Sequence, residues 1–243
     1  MDYGFRSLAI HQKAAYVLRH FNSIALKYDF MNSVLSFGIH HIWKRKAVNS
    51  MNLGHGFRVL DVCSGTGDLA ILASKCAGDS GSVIIYDINR SMMDRARTKI
   101  TSVAIHGRIN LVQGDAEALS FPDNCFDAAM VGFGIRNLTD MEKGLREMHR
   151  VLKPGGTMMC LEFSVPVTPW FRMLYDFYSF TVMPLAGWVL AGRSEPYCYL
   201  PATIRNFPAP DLFSTMIARS GFTRVRYERL TNGIAVIYTG EKA

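Results

Sequence analysis

The chain has 243 residues, 49% of them hydrophobic and 19% charged, and carries a net charge of +7. That length suffices for one sizeable buried core, and the composition excludes disordered and low-complexity classes. The excess charge is scattered as single Lys and Arg residues, so it leaves no nucleic-acid footprint; it is either a plain solvated surface or a weak attraction for anionic phosphates and lipid headgroups.

Residues 5 to 50 read as helical, with Ala15, Leu18 and Phe21 at helical spacing. The opening MDYGFRSLAIHQ has neither the apolar core of a secretory signal nor the character of a transit peptide, so a cytosolic bacterial protein is expected. From Phe57 the pattern alternates. Strands are expected at 58–63, 82–87, 109–115, 127–134 and 157–163, with helices around 68–77, 90–101 and 139–152 between them. Such alternation predicts a doubly wound α/β fold, a parallel sheet with helices on both faces. Gly155 and Gly156 read as the stop of the third helix, turning into the next strand.

Residues 165 to 207 leave this alternation and are rich in aromatics, among them Trp170, Phe177, Phe180, Trp188 and Tyr199. Their apolar side chains are either core or the wall of an apolar cleft, and the two can coexist on opposite faces. The most apolar stretch, Phe180 to Gly192, is shorter than the roughly 20 residues that a membrane-spanning helix needs. A helix follows at 211–220, then two strand-like runs joined by Thr231-Asn232-Gly233, in which Asn-Gly signals a hairpin. Five cysteines are scattered with no CxxC pair and no His/Cys spacing, so no metal site is expected, and Cys63, Cys125 and Cys160 read as reduced thiols.

The strongest motif is Val59-Leu60-Asp61-Val62-Cys63-Ser64-Gly65-Thr66-Gly67-Asp68, a buried strand running through two glycines into a helix. Ligands of open α/β sheets bind beyond the carboxyl ends of the strands. The turn lacks the third glycine of GxGxxG, which favours a small zwitterionic tail over a pyrophosphate; a tight turn without a ligand is the alternative reading. Asp87 ends the second strand, where a carboxylate can accept from both hydroxyls of a ribose; it could instead cap the following helix, a task that Asn89 could also take. Asp115-Ala116 follows the third strand, where an adenine amino group would find an acceptor, and Gly132 ends the fourth, where an amino-acid tail would pass. Successive strands thus offer suitable groups at one end of the sheet.

Tyr28-Asp29-Phe30-Met31-Asn32 followed by Leu35-Ser36-Phe37-Gly38-Ile39-His40-His41-Ile42-Trp43-Lys44 resembles a signature of the quinone C-methyltransferases. So do Phe133-Gly134-Ile135-Arg136-Asn137-Leu138, the run from Arg150 through Lys153-Pro154-Gly155-Gly156 to Ser164, and Tyr199-Leu200-Pro201-Ala202-Thr203-Ile204. The resemblance covers the chain from about residue 20 onward. It implies a class I methyltransferase fold, a seven-stranded sheet that is parallel except for an antiparallel last strand. Within one domain it implies a helical cap (1–52), a cofactor-binding core (53–164), an aromatic-rich substrate-cleft insertion (165–210) and a last helix with a C-terminal hairpin (211–243).

The resemblance further implies S-adenosyl-L-methionine as cofactor, contacted at Gly65, Thr66, Gly67, Asp87, Asp115, Ala116 and Gly132. Relatives often carry Asn for Asp115 and Ser for Gly132; the first exchange keeps an acceptor, whereas the second leaves only a backbone contact. The implied reaction is C-methylation of a polyprenyl hydroquinone, demethylmenaquinol or the methoxy-benzoquinol precursor of ubiquinone. Arg136 is the expected group facing the phenolate-like oxygen, assisting deprotonation only through a bridging water. Tyr28 is the second expected catalytic residue, and His40 and His41 are weaker candidates for a base, since a histidine on a helix face is more often a packed or solvated side chain. Peripheral membrane contact and a homodimer are compatible with this reading. The alternatives are a different small phenolic acceptor or a non-catalytic cofactor-binding partner protein.

Overall fold

Short runs rich in Val, Ile, Leu and Met, separated by helices that are apolar on one side, assemble into one sheet covered on both faces. The computed structural model describes residues 10–103, 107–192 and 195–243; the part of the helical expectation at 5–9 lies outside them. Three helices come first, α1 (Ile10–Ile24), α2 (Tyr28–Leu35) and α3 (Ile39–Asn49). The alternating region follows as β1 (Arg58–Val62), α4 (Asp68–Ala77), β2 (Ser82–Asp87), α5 (Arg90–Ser102), β3 (Ile109–Gln113), β4 (Phe126–Gly132), α6 (Met141–Val151) and β5 (Leu152–Phe163). Then come α7 (Pro169–Phe177), α8 (Met183–Ala191), α9 (Glu195–Asn206), α10 (Pro210–Arg219), β6 (Phe222–Leu230) and β7 (Ala235–Lys242).

The sheet order is β3-β2-β1-β4-β5-β7-β6. Strands β1 to β5 pair in parallel, and β7 lies antiparallel between β5 and β6. The chain winds outward from β1 to β3 and then crosses back to β4, so a crevice opens beyond the carboxyl ends of β1 and β4. The pleat splits β1 between two cores. Val59 faces α3, α4 and α5 with Ala70, Ala73 and Ala96, whereas Leu60 and Val62 face α6 and α10 with Leu145, Phe213 and Ile217. Both faces are buried, so these strands read as continuous apolar runs rather than alternating ones.

Three local expectations are adjusted. The helical run at 5–50 breaks twice, the second time at Gly38, whose φ of 74° is left-handed backbone that glycine adopts without strain. Ala15 is exposed there, and Leu18 and Phe21 line a cavity instead of a packed core. Helix α6 stops at Val151, before the glycines: Leu152 already pairs with Phe126, and Lys153-Pro154-Gly155-Gly156 forms an irregularity in the ladder before Thr157 pairs with Ala128. The last two strands form the expected hairpin, but Leu230 pairs with Ala235, so the loop is longer than an Asn-Gly two-residue turn and bends through Thr231 and Asn232 at φ 46° and 56°.

Helices α7 and α8 are one rod joined by a π-helical turn (Tyr178–Val182). Pro184 explains the wider turn, because it has no N–H to offer the carbonyl one turn back. The rod stands beside the crevice and touches the end of α2, where Tyr178 Oη donates to the Leu35 carbonyl at 2.6 Å. Among the described residues no helix is long and apolar enough to cross a membrane.

Candidate active site

The loop after β1 is built for close approach. Cys63, Gly65 and Gly67 have φ of 52°, 56° and 80°, and no heavy atom lies within 4 Å of where a Cβ on Gly65 would stand. Gly65 therefore presents bare backbone to a cavity of about 1060 Å³ that fills the crevice. Gly67 plays another part. It stands outside the cavity lining and caps α4 in the left-handed region, where a Cβ would press on Ile85 and Ala96; its lack of a side chain serves packing against β2 and α5.

Asp87 sits at the carboxyl end of β2 and is held by two backbone amides, Gly65 N donating to Oδ2 at 2.8 Å and Asn89 N to Oδ1 at 2.8 Å. Asn89 is the cap of α5, accepting from Met92 N at 3.0 Å, which leaves Asp87 to the cavity. Burial pushes the Asp87 carboxyl up from its ordinary value, and the amide hydrogen bonds pull it back. After β3, Gly114 lies so close to Tyr86 that a Cβ would strike its hydroxyl, which sets Asp115 and Ala116 on the cavity wall. Gly132 lines the cavity at the end of β4; a Cβ there would collide with Leu69, so a serine in its place would require Leu69 to turn.

Two further groups in this loop were quoted in the motif without a role. Asp61 Oδ2 accepts from Ala70 N at 3.0 Å, but its Oδ1 is buried without a partner among the described residues, and so is Ser64 Oγ. Both residues line the cavity. An unpaired acceptor and an unpaired hydroxyl on two lining residues are what the ammonium and carboxylate of an amino-acid tail would satisfy. Together with the bare Gly65 and the Asp87 carboxylate, they fit S-adenosylmethionine.

Thr66 lines the cavity, and its hydroxyl is also tied to the N-terminal helices. Its hydroxyl donates to Asp29 Oδ1 of α2 at 2.6 Å and accepts from Lys99 Nζ of α5 at 3.1 Å. Lys99 bridges Asp29 and Asp68 at 2.6 and 2.7 Å, and Lys44 of α3 holds the other Asp68 oxygen at 2.6 Å. Burial works against ionised Asp68, yet the two lysines hold its carboxyl well below the usual range. This network fastens the N-terminal helices onto the cofactor loop. Nothing in local periodicity shows it, since its members are spread over 70 residues of chain.

Arg136, in a 3-10 turn (Ile135–Asn137) after β4, also lines the cavity. Its Nη1 donates to Glu162 Oε1 at 2.6 Å and to the Phe133 carbonyl at 2.5 Å. Glu162, at the end of β5, is fully buried; burial raises its carboxyl, and Arg136 opposes the rise. The Nε of Arg136 is buried and has no partner among the described residues. Tyr28 also lines the cavity, and burial pushes its hydroxyl above the ordinary value while Arg136 lowers it. Tyr199 donates to Asn137 Oδ1 at 2.9 Å and packs 4.4 Å from the His20 ring.

His20 went unnoticed in the sequence, where one polar residue among several on an amphipathic helix carries no signal. Burial, and then Arg136, lower it to about 4. His40 lines the cavity, pairs with Ser36 Oγ at 2.5 Å, and is likewise lowered to about 4, first by burial and then by Lys44. His41 stands outside the lining. Among the described residues no group of His, Cys, Asp or Glu could hold a metal ion.

The model of the ubiE/COQ5 methyltransferase family matches residues 9–242. The chain belongs to this family. It is 45% identical over 240 residues to the ubiquinone/menaquinone biosynthesis C-methyltransferase UbiE of Pasteurella multocida, covering 99% of this chain and 90% of that protein. It is 44% identical over 240 residues to the UbiE of Pseudoalteromonas translucida, with 99% and 96% covered. Among solved structures, a SAM-dependent methyltransferase from Aquifex aeolicus superposes with a TM-score of 0.60 at 18% identity, covering 82% of this chain and 89% of that one. The [4+2]-cyclase SpnF superposes with a TM-score of 0.67 at 14% identity, covering 93% and 94%, so the fold alone does not name a reaction. Family membership does: this chain is an S-adenosylmethionine-dependent C-methyltransferase.

Proposed function

We propose that this methyltransferase methylates a ring carbon of a polyprenyl hydroquinone, demethylmenaquinol or the methoxy-benzoquinol precursor of ubiquinone. One observation carries the reading: Arg136, a buried cation whose Nε has no partner among the described residues, lines a large cavity with apolar walls. A ring oxygen placed there gains a fixed cation and a donor, and the rest of the space suits an isoprenoid tail.

S-adenosylmethionine supplies an electrophilic methyl group on a sulfonium. On this reading Asp87 accepts from the ribose hydroxyls, Asp115 and Ala116 meet the adenine, and Asp61, Ser64 and the Gly132 backbone hold the amino-acid tail. Gly65 permits close approach, Gly67 shapes the turn, and Thr66 anchors α2 over the site. Arg136 stabilises the oxygen anion that pushes electrons to the ortho carbon, with Tyr28 as hydrogen-bond partner. The ortho carbon would take the methyl as the sulfur–methyl bond breaks, leaving S-adenosylhomocysteine, and the ring proton of that carbon would then pass to water in the cavity, which restores aromaticity. Glu162 keeps Arg136 aimed. Residues 1–52 and 165–210 form the acceptor side, and residues 53–164 the cofactor side. A polyprenyl substrate also makes peripheral membrane contact part of this reading.

The test is transfer of labelled methyl to short-tailed demethylmenaquinol and to the methoxy-benzoquinol, side by side under reducing conditions. Product from either supports the quinol reading and shows which ring the cavity admits. Cofactor binding without product from either would move the assignment to another phenolic acceptor or to a non-catalytic partner.

A further inference from the structure

Helix α7 has no buried residue, although it is mostly aromatic and aliphatic. Along the α7–α8 rod, Trp170, Met173, Phe177, Leu185, Trp188 and Val189 are all exposed, the two tryptophans at 65% and 64%. Beside them stand Leu26, Phe30 and Phe37 of the α2 segment, Phe37 at 86%. The two sets form one surface: Tyr178 Oη donates to the Leu35 carbonyl at 2.6 Å, Lys27 Nζ to the Leu190 carbonyl at 2.9 Å, and Phe37 packs 6.2 Å from Tyr178. Monomeric soluble proteins rarely leave so much contiguous apolar side chain in water.

We propose that this face seats on an anionic lipid bilayer and delivers the tail of the acceptor directly into the cavity. The inference rests on the quinol reading for the acceptor but not for the surface itself. Two observations choose a bilayer over a second copy of the chain. First, the cavity opens through the patch, because Phe37, Leu174, Phe177 and Val182 are at once exposed and part of its lining. A tail threaded between them would leave the protein where the patch meets its partner, and a second copy there would close that exit.

Second, the charges are one-sided. The acids within 26–37 and 169–190, Asp29 and Asp176, are both in ion pairs, with Lys99 and Arg205. The cations Lys27, Arg95 and Arg172 are exposed, Lys27 and Arg95 touching the carbonyls of Leu190 and Leu26 within the patch. Apolar side chains ringed by cations match an anionic headgroup layer over hydrocarbon, whereas two copies face to face would oppose like charges. Trp170 and Trp188 suit the boundary, each having an apolar body and a polar N–H.

The experiment is co-sedimentation of the full chain with phosphatidylglycerol-containing vesicles and with phosphatidylcholine vesicles, neither holding any quinol. The wild-type chain should bind the anionic vesicles, and Trp170→Ser with Trp188→Ser should lower its partition about tenfold or more. Lys27→Glu with Arg172→Glu should abolish the preference for phosphatidylglycerol. None of these residues lines the cavity, so cofactor affinity and turnover of a short-tailed, detergent-dispersed quinol should stay at the wild-type level and report an intact fold. Failure of wild-type binding, equal binding by the tryptophan variant, or a dimer in sedimentation that the tryptophan changes dissolve would each overturn the proposal. An absence of methyl transfer alongside vesicle binding would instead strike the quinol reading.

Discussion

Strand β4 and helix α8 are both apolar along most of their length, yet they meet opposite surroundings. From Ala128 to Val131, β4 is sealed between two helical layers, while α8 packs only one side, with Gly187 against Tyr197, and leaves Leu185, Trp188 and Val189 in the open. The same contrast divides the molecule. In the proposed division, the cofactor side is built on a close-packed sheet whose loops are held by backbone geometry and amide hydrogen bonds. The acceptor side is a set of helices tied on by a few polar links, with its apolar side chains facing a cavity and a surface. The difference teaches that apolarity marks what shuns water, not what packs: a central strand meets protein, and an edge helix can meet a ligand tail or a bilayer.

The comparison is broken most severely where the two sides meet, at Arg136. Arg136→Ala should lower kcat by about 10²–10³ with cofactor affinity retained. It should also cost roughly 3–5 kcal/mol of stability, because Glu162 is left as an unpaired buried charge. Adding Glu162→Gln should restore the melting temperature and not the turnover; recovery of turnover in the double variant would remove Arg136 from the chemistry.

Next comes the core itself. Leu145→Ala on α6, fully buried, should cost about 2–5 kcal/mol in chemical denaturation.

The N-terminal helices have a pH signature of their own. His40 is held at about 4 by burial, then by Lys44 and His41, with Asp68 and Asp29 acting in the opposite direction. The unfolded chain therefore takes up a proton that the folded one refuses between the ordinary histidine value and about 4, so His40 makes stability fall as pH drops through that window. The wild type should lose about 2 kcal/mol more than His40→Gln between roughly pH 7 and pH 4.5. Equal losses would show that His40 protonates freely in the folded state.

The smallest effect sharpens the contrast from the other side. Leu185→Ala on α8 should change stability by no more than about 0.5 kcal/mol. A loss comparable to that at Leu145 would mean that α8 is packed against something in solution.

Much of the cofactor side was legible in the residues. Helix α4 and strand β2 have the expected bounds, and Asn89 rather than Asp87 is the cap of α5, because turn glycines, caps and strand runs act over a few residues. The acceptor side was legible only in part. Its aromatics could be placed near a cleft, but not divided into buried Tyr197 and Tyr199 and exposed Trp170 and Trp188, since the α–π–α rod shifts its phase at Pro184 and periodicity fails there. Glu162 sits in a strand that reads as plain core, and His20 in a helix that reads as plain amphipathic.

The amino acids alone thus determined the doubly wound sheet, the glycine loop after β1 and the row of polar groups at one end of the strands. Each of these follows from local conformational preference and from the pleat. Only the tertiary structure decided that Arg136 meets Glu162, that Asp29 and Lys99 clasp Thr66, and that Asp61 and Ser64 keep unpaired atoms for a ligand. Those facts depend on burial and on charges brought together from distant parts of the chain, where desolvation makes each pairing or lack of it matter and sequence spacing carries no record of it.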